Sequence, residues 1–190
     1  LGIALTVAVL LSVMAMVQGL RTSMEASGNP LHLLVMRKGA TAELNSIVTP
    51  ARFQELKSMP GIAKAADGTP MASLEVVTVI VLESAENPSG INITLRGLTP
   101  VGFGMRDGLK IVEGRMFEAG KREVVVGKGL AGRYPDARMG RKLRFGRGEW
   151  EVVGVMDAGR GAANSEVFAD LFQLASDQGR PEALSSVLIR

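Results

Sequence analysis

The side chains that carry most protein chemistry are scarce in this sequence. There is one histidine, His32, and no cysteine. Without cysteine, a disulfide framework, thiolate metal ligation and thiolate catalysis are excluded. A hydrolytic triad needs a histidine to take the nucleophile's proton, and serines such as Ser165, beside Glu166, lack one. A metal would have to be held by carboxylates, and no paired acidic motif is present. His32 has no second ligand, so it reads as a strand-surface or packed histidine. The 10 methionines are scattered and make no metal-binding cluster.

Gly127, Gly129 and Gly132 form G-x-G-x-x-G directly after a strand-like run. A dinucleotide site would need a long helix next and an acidic residue about 20 positions on. Pro135 cuts that helix after about one turn, since proline cannot continue it. Glu149 lies near the required spacing but falls in a hairpin. The glycines therefore read as a tight strand-to-helix turn. No G-x-x-x-x-G-K-[ST] occurs, so ATP is not bound here by that route. No catalytic, cofactor-binding or metal residue is assigned, and the chain is expected not to be an enzyme.

Arg133, Arg138, Arg141, Lys142, Arg144 and Arg147 make the densest basic run. Single-stranded nucleic acid would call for interleaved aromatics. Only Tyr134 and Phe145 are near, and Phe145 alternates to the buried side of its strand. The run reads first as the solvated face of a ribbon, and second as a contact for a partner or anionic lipid. A net charge of +3 and a pI of about 9.5 are too mild to argue for nucleic acid.

The elements that must position these residues begin with a stretch unsuited to water. Leu1 to Leu20 carries no charge and is followed by Arg21 and Glu25. At a rise of 1.5 Å per residue, such a helix reaches about 30 Å, the thickness of a bilayer core. A buried core helix and a secretory signal peptide are the rival readings. The run is long for the first, and longer than the roughly 7–15 apolar residues of the second. A membrane span is expected, its helix running on through Arg21, Met24 and Glu25 as a stalk. Gly28-Asn29-Pro30 should stop it. The chain opens on Leu1 and not on Met, as expected of a piece of a longer polypeptide.

Beyond the span, about 165 residues make one good-sized domain or two small ones. Leu31–Met36 reads as a first strand. Thr49-Pro50 opens a helix, with threonine as cap and proline at the first position. Ile62–Ala66 reads as a short strand, and the Val-rich run Met71–Leu82 as a long one. Asn87-Pro88-Ser89-Gly90 is a turn, from which Ile91–Leu95 pairs back. Gly97 to Asp107 is a loop holding one helical turn, and Leu109–Arg115 and Glu123–Gly127 are short strands. Leu143 and Phe145 alternate with Lys142 and Arg144, and Gly146-Arg147-Gly148 joins them as a hairpin to a strand through Trp150, a core residue, towards Val155. Glu166–Ala175 reads as a helix capped by Ser165, and Ser186–Ile189 as a last strand that pairs with the first part of the domain. The fold class is α+β: one N-terminal transmembrane helix (1–28, with its stalk), then a mixed α/β extracytoplasmic domain (29–190). A β-rich inserted subdomain is expected within about 70–160.

One order of motifs resembles a known family. It runs Gly97-Leu98-Thr99-Pro100, then Leu109 through Gly114-Arg115-Met116-Phe117, then Glu123–Gly127, Gly140–Leu143, Trp150–Met156 and Ser165–Asp170. The sequence is similar here to the extracytoplasmic core domain of MacB-type and lipoprotein-releasing ABC-transporter permeases, the FtsX-like superfamily. The G-R-x-F step and the V-V-G-V strand are its most specific pieces, and the resemblance spans nearly the whole chain.

The resemblance implies that the span is the first of four membrane helices in the cell's inner membrane. The domain after it would lie in the periplasm or extracellular space. Such permeases pair with an identical or paralogous copy and work with a cytoplasmic ABC ATPase, separate or fused, so that ATP is bound by that partner. A periplasmic adaptor protein often joins them. ATP-driven closure would pass through the membrane helices to the outer domain (mechanotransmission), which would export or extract a substrate outside the membrane. Arg21, Met24 and Glu25 would lie on the coupling stalk, and no residue is assigned to substrate. The alternative is a single-span anchored binding or adaptor domain outside any transporter, with an anchored enzyme as the third reading.

Overall fold

The computed structural model describes residues 2–82 and 89–190, apart from the side chains of 23–27. Helix α1 (Gly2–Ser27) stops before Gly28-Asn29-Pro30, as the sequence indicates. Its stretch Gly2–Thr22 is long and apolar enough to cross a membrane, with mean hydropathy 2.2, and none of it is buried. A core helix of this domain would bury such a surface. Thr6, Ser12 and Thr22 each donate their hydroxyl to the carbonyl four residues back, so these groups need no water.

Asn29 turns the chain: its carbonyl accepts from the His32 N–H and its side-chain oxygen from the Leu31 N–H. Strand β1 (Leu33–Val35) follows, then a 3-10 turn (Glu43–Asn45) and α2 (Pro50–Lys57). The Thr49 hydroxyl accepts from the Arg52 N–H, and Pro50 fills the first helical position, where no amide is needed. Then come β2 (Ala72–Leu82), β3 (Ile91–Leu98), α3 (Pro100–Met105), β4 (Lys110–Gly114), β5 (Glu123–Gly127) and α4 (Lys128–Arg133). The chain continues with β6 (Lys142–Phe145), β7 (Gly148–Asp157), a 3-10 turn (Ala162–Ser165), β8 (Glu166–Asp170), α5 (Leu171–Asp177) and β9 (Ser186–Ile189).

The strands join in one mixed sheet, in the order β1-β9-β2-β3-β8-β5-β7-β4, with β6 on β7. The β3–β8 and β5–β7 pairs are parallel and the rest antiparallel. The last strand does pair with the first, Leu34 opposite Leu188. β8 and β5 lie at the centre, and Val124–Val126 and Val167–Ala169 have no exposed surface. Val124, Val126, Leu95 and Trp150 join Leu171 and Leu174 of α5 on one side. Val125, Phe168, Leu98 and Met156 pack on the other with Phe103 of α3. Trp150 is fully buried and stacks on Phe145, centroids 5.0 Å apart.

Two expectations are corrected. Residues 166–175 are not one helix capped by Ser165. They form β8 and then α5, whose cap is Asp170, accepting from the Gln173 N–H at 2.9 Å. Val167, Leu171 and Leu174 fit helical spacing, but a short apolar run has no period of its own. Here the β3 and β5 edges claim Val167–Ala169 as a strand, so pairing overrides local pattern. Ile62–Ala66 is no strand; it makes a single bridge between Lys64 and Pro70. Of the turn expected at Asn87-Pro88-Ser89-Gly90, Asn87 and Pro88 lie outside the described residues, as do residues 83–86.

The G-x-G-x-x-G run spans the end of β5, at Gly127, and α4, only six residues long, which carries Gly129 and Gly132. A Cβ on Gly127 would come within 2.3 Å of the Asn164 carbonyl oxygen, and one on Gly129 within 2.8 Å. These two glycines let the backbone of the 162–165 turn close onto β5 and α4.

Candidate functional site

Glu75 is the centre of the site, and it lies in a strand where a carboxylate is costly. β2 alternates Leu74 and Val76 into one core layer and Ser73, Glu75 and Val77 onto the other face. Glu75 has no exposed surface. A buried carboxylate must be paired and hydrogen-bonded. Arg106, at the end of α3, meets it with both terminal nitrogens, at 2.7 and 2.6 Å. Arg96 of β3 reaches it at 2.9 Å.

Arg96 then extends the network. It grips Glu43 of the first 3-10 turn through two nitrogens, at 2.8 and 3.0 Å, and Glu166 of β8 at 3.3 Å. Ser186 of β9 donates to Glu43 at 2.6 Å. Three carboxylates thus face two guanidiniums, and the groups come from the 3-10 turn, β2, β3, α3, β8 and β9. Gly102 makes room for this: a Cβ there would lie 2.2 Å from the Ser73 hydroxyl. Its carbonyl also accepts from Arg106 at 2.7 Å.

The network reaches the stalk through two routes. Asn29, just past the end of α1, donates its side-chain amide to Asp107, the residue after Arg106. The 162–165 turn, next to Glu166 in sequence, touches α1 directly. Between these contacts a cleft of about 540 Å³ is walled by Asn29, His32, Arg96, Arg106, Asp107 and Glu166.

Burial works against charge on Glu43, but the Arg96 guanidinium and the Ser186 hydroxyl prevail and hold its carboxyl below the usual value. Burial likewise opposes the charge of Arg96, and the three carboxylates around it raise its pKa above the ordinary arginine value. For His32, burial dominates and lowers the pKa, with Asp107 opposing. The His32 Nε2 is buried without a hydrogen-bond partner among the described residues. The Ser186 hydroxyl in this network is held by the Glu43 carboxylate. What the network can do is hold six elements in fixed register.

Of the residues assigned to the stalk, Arg21 is exposed on α1, and the side chains of Met24 and Glu25 lie outside the described residues. The junction network itself had no place in the sequence reading. Its signal was present: a lone glutamate inside a Val-rich buried strand, and an arginine in the strand that pairs back on it. The residues of the basic run are exposed. Lys142 and Arg144 pair with Glu149 across the β6–β7 hairpin, at 3.2 and 2.6 Å.

The family model described as the MacB-like periplasmic core domain matches residues 1–190. Among solved structures, the extracellular domain of the noncanonic ABC-type transporter YknZ from Gram-positive bacteria is similar, with TM-score 0.58 and 21% identity over 76% of this chain and 73% of that one. The periplasmic region of MacB from Actinobacillus actinomycetemcomitans is similar with TM-score 0.61 and 12% identity, over 88% of this chain and 77% of that one. Comparison with curated proteins gave no match.

Proposed function

From the premise that this chain belongs to the MacB-like periplasmic core domain family, we propose that it is the extracytoplasmic domain, with the first membrane helix, of an ABC-transporter permease. The permease serves in the inner membrane beside a cytoplasmic ATPase, paired with a second copy or a paralogue, and an adaptor protein outside completes the path. The domain does not hydrolyse ATP. It receives motion from the membrane and applies it to a substrate outside, in export or extraction.

One observation carries the mechanical part of this reading. The stalk is tied through Asn29 and Asp107 to Arg106, and from there to a buried ion network that spans six elements. A displacement of α1 is then passed to the sheet as a body and is not lost in a loop. Charge-assisted, forked pairs are stiff in direction as well as strong, which suits load transfer.

The test uses the full permease with its ATPase in a bilayer. Spin labels on Thr22→Cys and on Glu182→Cys report stalk and domain positions against a label on the ATPase, with and without ATP. Both labels should shift together on ATP binding. With Arg106→Ala, the stalk label should still shift while the domain label does not follow, at unchanged ATPase rate. Equal movement of the domain label in Arg106→Ala and in the native sequence rejects the coupling role of the network.

A further inference from the structure

Arg160 sits in the loop between β7 and the 162–165 turn, and that loop lies against α1. With Ala15, Gln18, Gly19 and Thr22 it lines a shallow cleft. These four helix positions are spaced by three, one and three residues, so they form one face of α1. They also form the last turns of the apolar stretch Gly2–Thr22. Arg160 is exposed, and among the described residues no carboxylate pairs with it. The nearest acid in sequence, Asp157, is already engaged: Lys128 donates to it at 3.0 Å and the Gly159 N–H at 2.8 Å.

We infer that Arg160, with the side-chain amide of Gln18, holds the phosphate of a membrane phospholipid. The inference rests on Gly2–Thr22 being a membrane span. A cation beside the last turns of a span stands at the headgroup layer, which is about 5–8 Å deep on each side of the hydrocarbon. It can reach outward to water, but the charge of opposite sign at that level is phosphate. Guanidinium offers planar paired donors that match phosphate oxygens. Gln18 adds an amide donor on the same helix face, and Ala15 and Gly19 leave the face open to a lipid. The Thr22 hydroxyl takes no part, since it donates to the Gln18 carbonyl at 2.9 Å. Loop and helix face together then set how deep the domain sits on the bilayer. The same loop leads into the turn that carries Glu166, so the depth contact and the junction network lie a few residues apart.

The chain has no cysteine, so each label can be placed singly. Gly161 has φ −72°, which any residue adopts, and Gly161→Cys accepts a nitroxide beside Arg160. In phosphatidylcholine bilayers that nitroxide should speed relaxation of the lipid phosphorus signal, and adding Arg160→Ala should reduce the enhancement several-fold. Arg160→Lys should retain part of it. In phosphate-free galactolipid bilayers, added inorganic phosphate should show no comparable enhancement; an equal one assigns the site to free phosphate and overturns the lipid. An unchanged signal in Arg160→Ala, or a label immobilised with no phosphorus effect because a second helix covers the face, overturns the inference as well. A label on Val9→Cys separates the two readings. If it collides with water-soluble nickel more than with oxygen, the span itself is wrong; if it lies in the bilayer and the Gly161→Cys label does not sense phosphorus, only the lipid site fails.

Discussion

Glu75 is fully enclosed and shared by two guanidiniums, so removing either cation leaves buried charge less than fully compensated. Breaking a buried pair from one side typically costs about 3–5 kcal/mol. Arg96→Ala takes the cation from Glu166, leaves Glu43 only the Ser186 hydroxyl and leaves Glu75 to Arg106 alone, and chemical denaturation should show a loss of that order. Arg96→Lys should recover only part, because an ammonium cannot fork between Glu43 and the other two carboxylates. The pH dependence follows from the same groups. The Glu43 carboxyl is held below its ordinary value, so it binds fewer protons folded than unfolded. Its contribution is full above about pH 4.5 and is lost as pH falls through the lower folded value. His32 is also held low, mainly by burial, so the unfolded chain binds its proton first. Stability should therefore begin to fall below about pH 6.5, the unperturbed histidine value, and fall again in the carboxylate range. Thermal melts across pH should show both steps, and His32→Gln should remove the upper one alone.

The elements show which sequence signals are read locally and which are not. Thr49-Pro50 is a cap and a first-turn proline in the fold, because both act within one helical turn. Leu143 buried between exposed Lys142 and Arg144 is the two-residue period of a half-buried strand. Gly146 at φ +60° makes the tight hairpin turn that its sequence indicates. By contrast, Glu166–Asp170 becomes a strand only because two neighbours are there to pair with it, and no local rule contains them. The junction network was hidden for a related reason. Arg96 stands opposite Val77, yet its partners come from the 3-10 turn, β2 and β8, whose meeting depends on the order of the whole sheet. Gly97 marks another such meeting. A Cβ there would lie 2.6 Å from a Val76 methyl and 3.2 Å from the Leu171 Cα, so β3 and α5 close over a bare backbone. Gly97→Ala should cost about 1–3 kcal/mol by overpacking. Denaturant titration should show it as a lowered midpoint, with α5 amides losing hydrogen-exchange protection first.

At the scale of the molecule, the apolar N-terminal helix and the α+β class were legible because each rests on composition and period. The sheet order was not, since it is fixed by pairings far apart in the chain, Ser185 bonding Val77 across 108 positions being one. That order has a consequence for how the protein is made. β9 is the last strand of the sequence, and it lies between β1 and β2. Among the described residues β1 has no other partner in the sheet. During synthesis and passage across the membrane, the strand nearest the anchor must wait, unpaired, until Ser186–Ile189 arrive to fill the gap. Assembly is thus timed by the end of this segment and not by its beginning. A chain cut short before Ser186 would hold a bilayer anchor with an open sheet above it, a form that surface proteases can tell from the finished domain by the exposed edges alone.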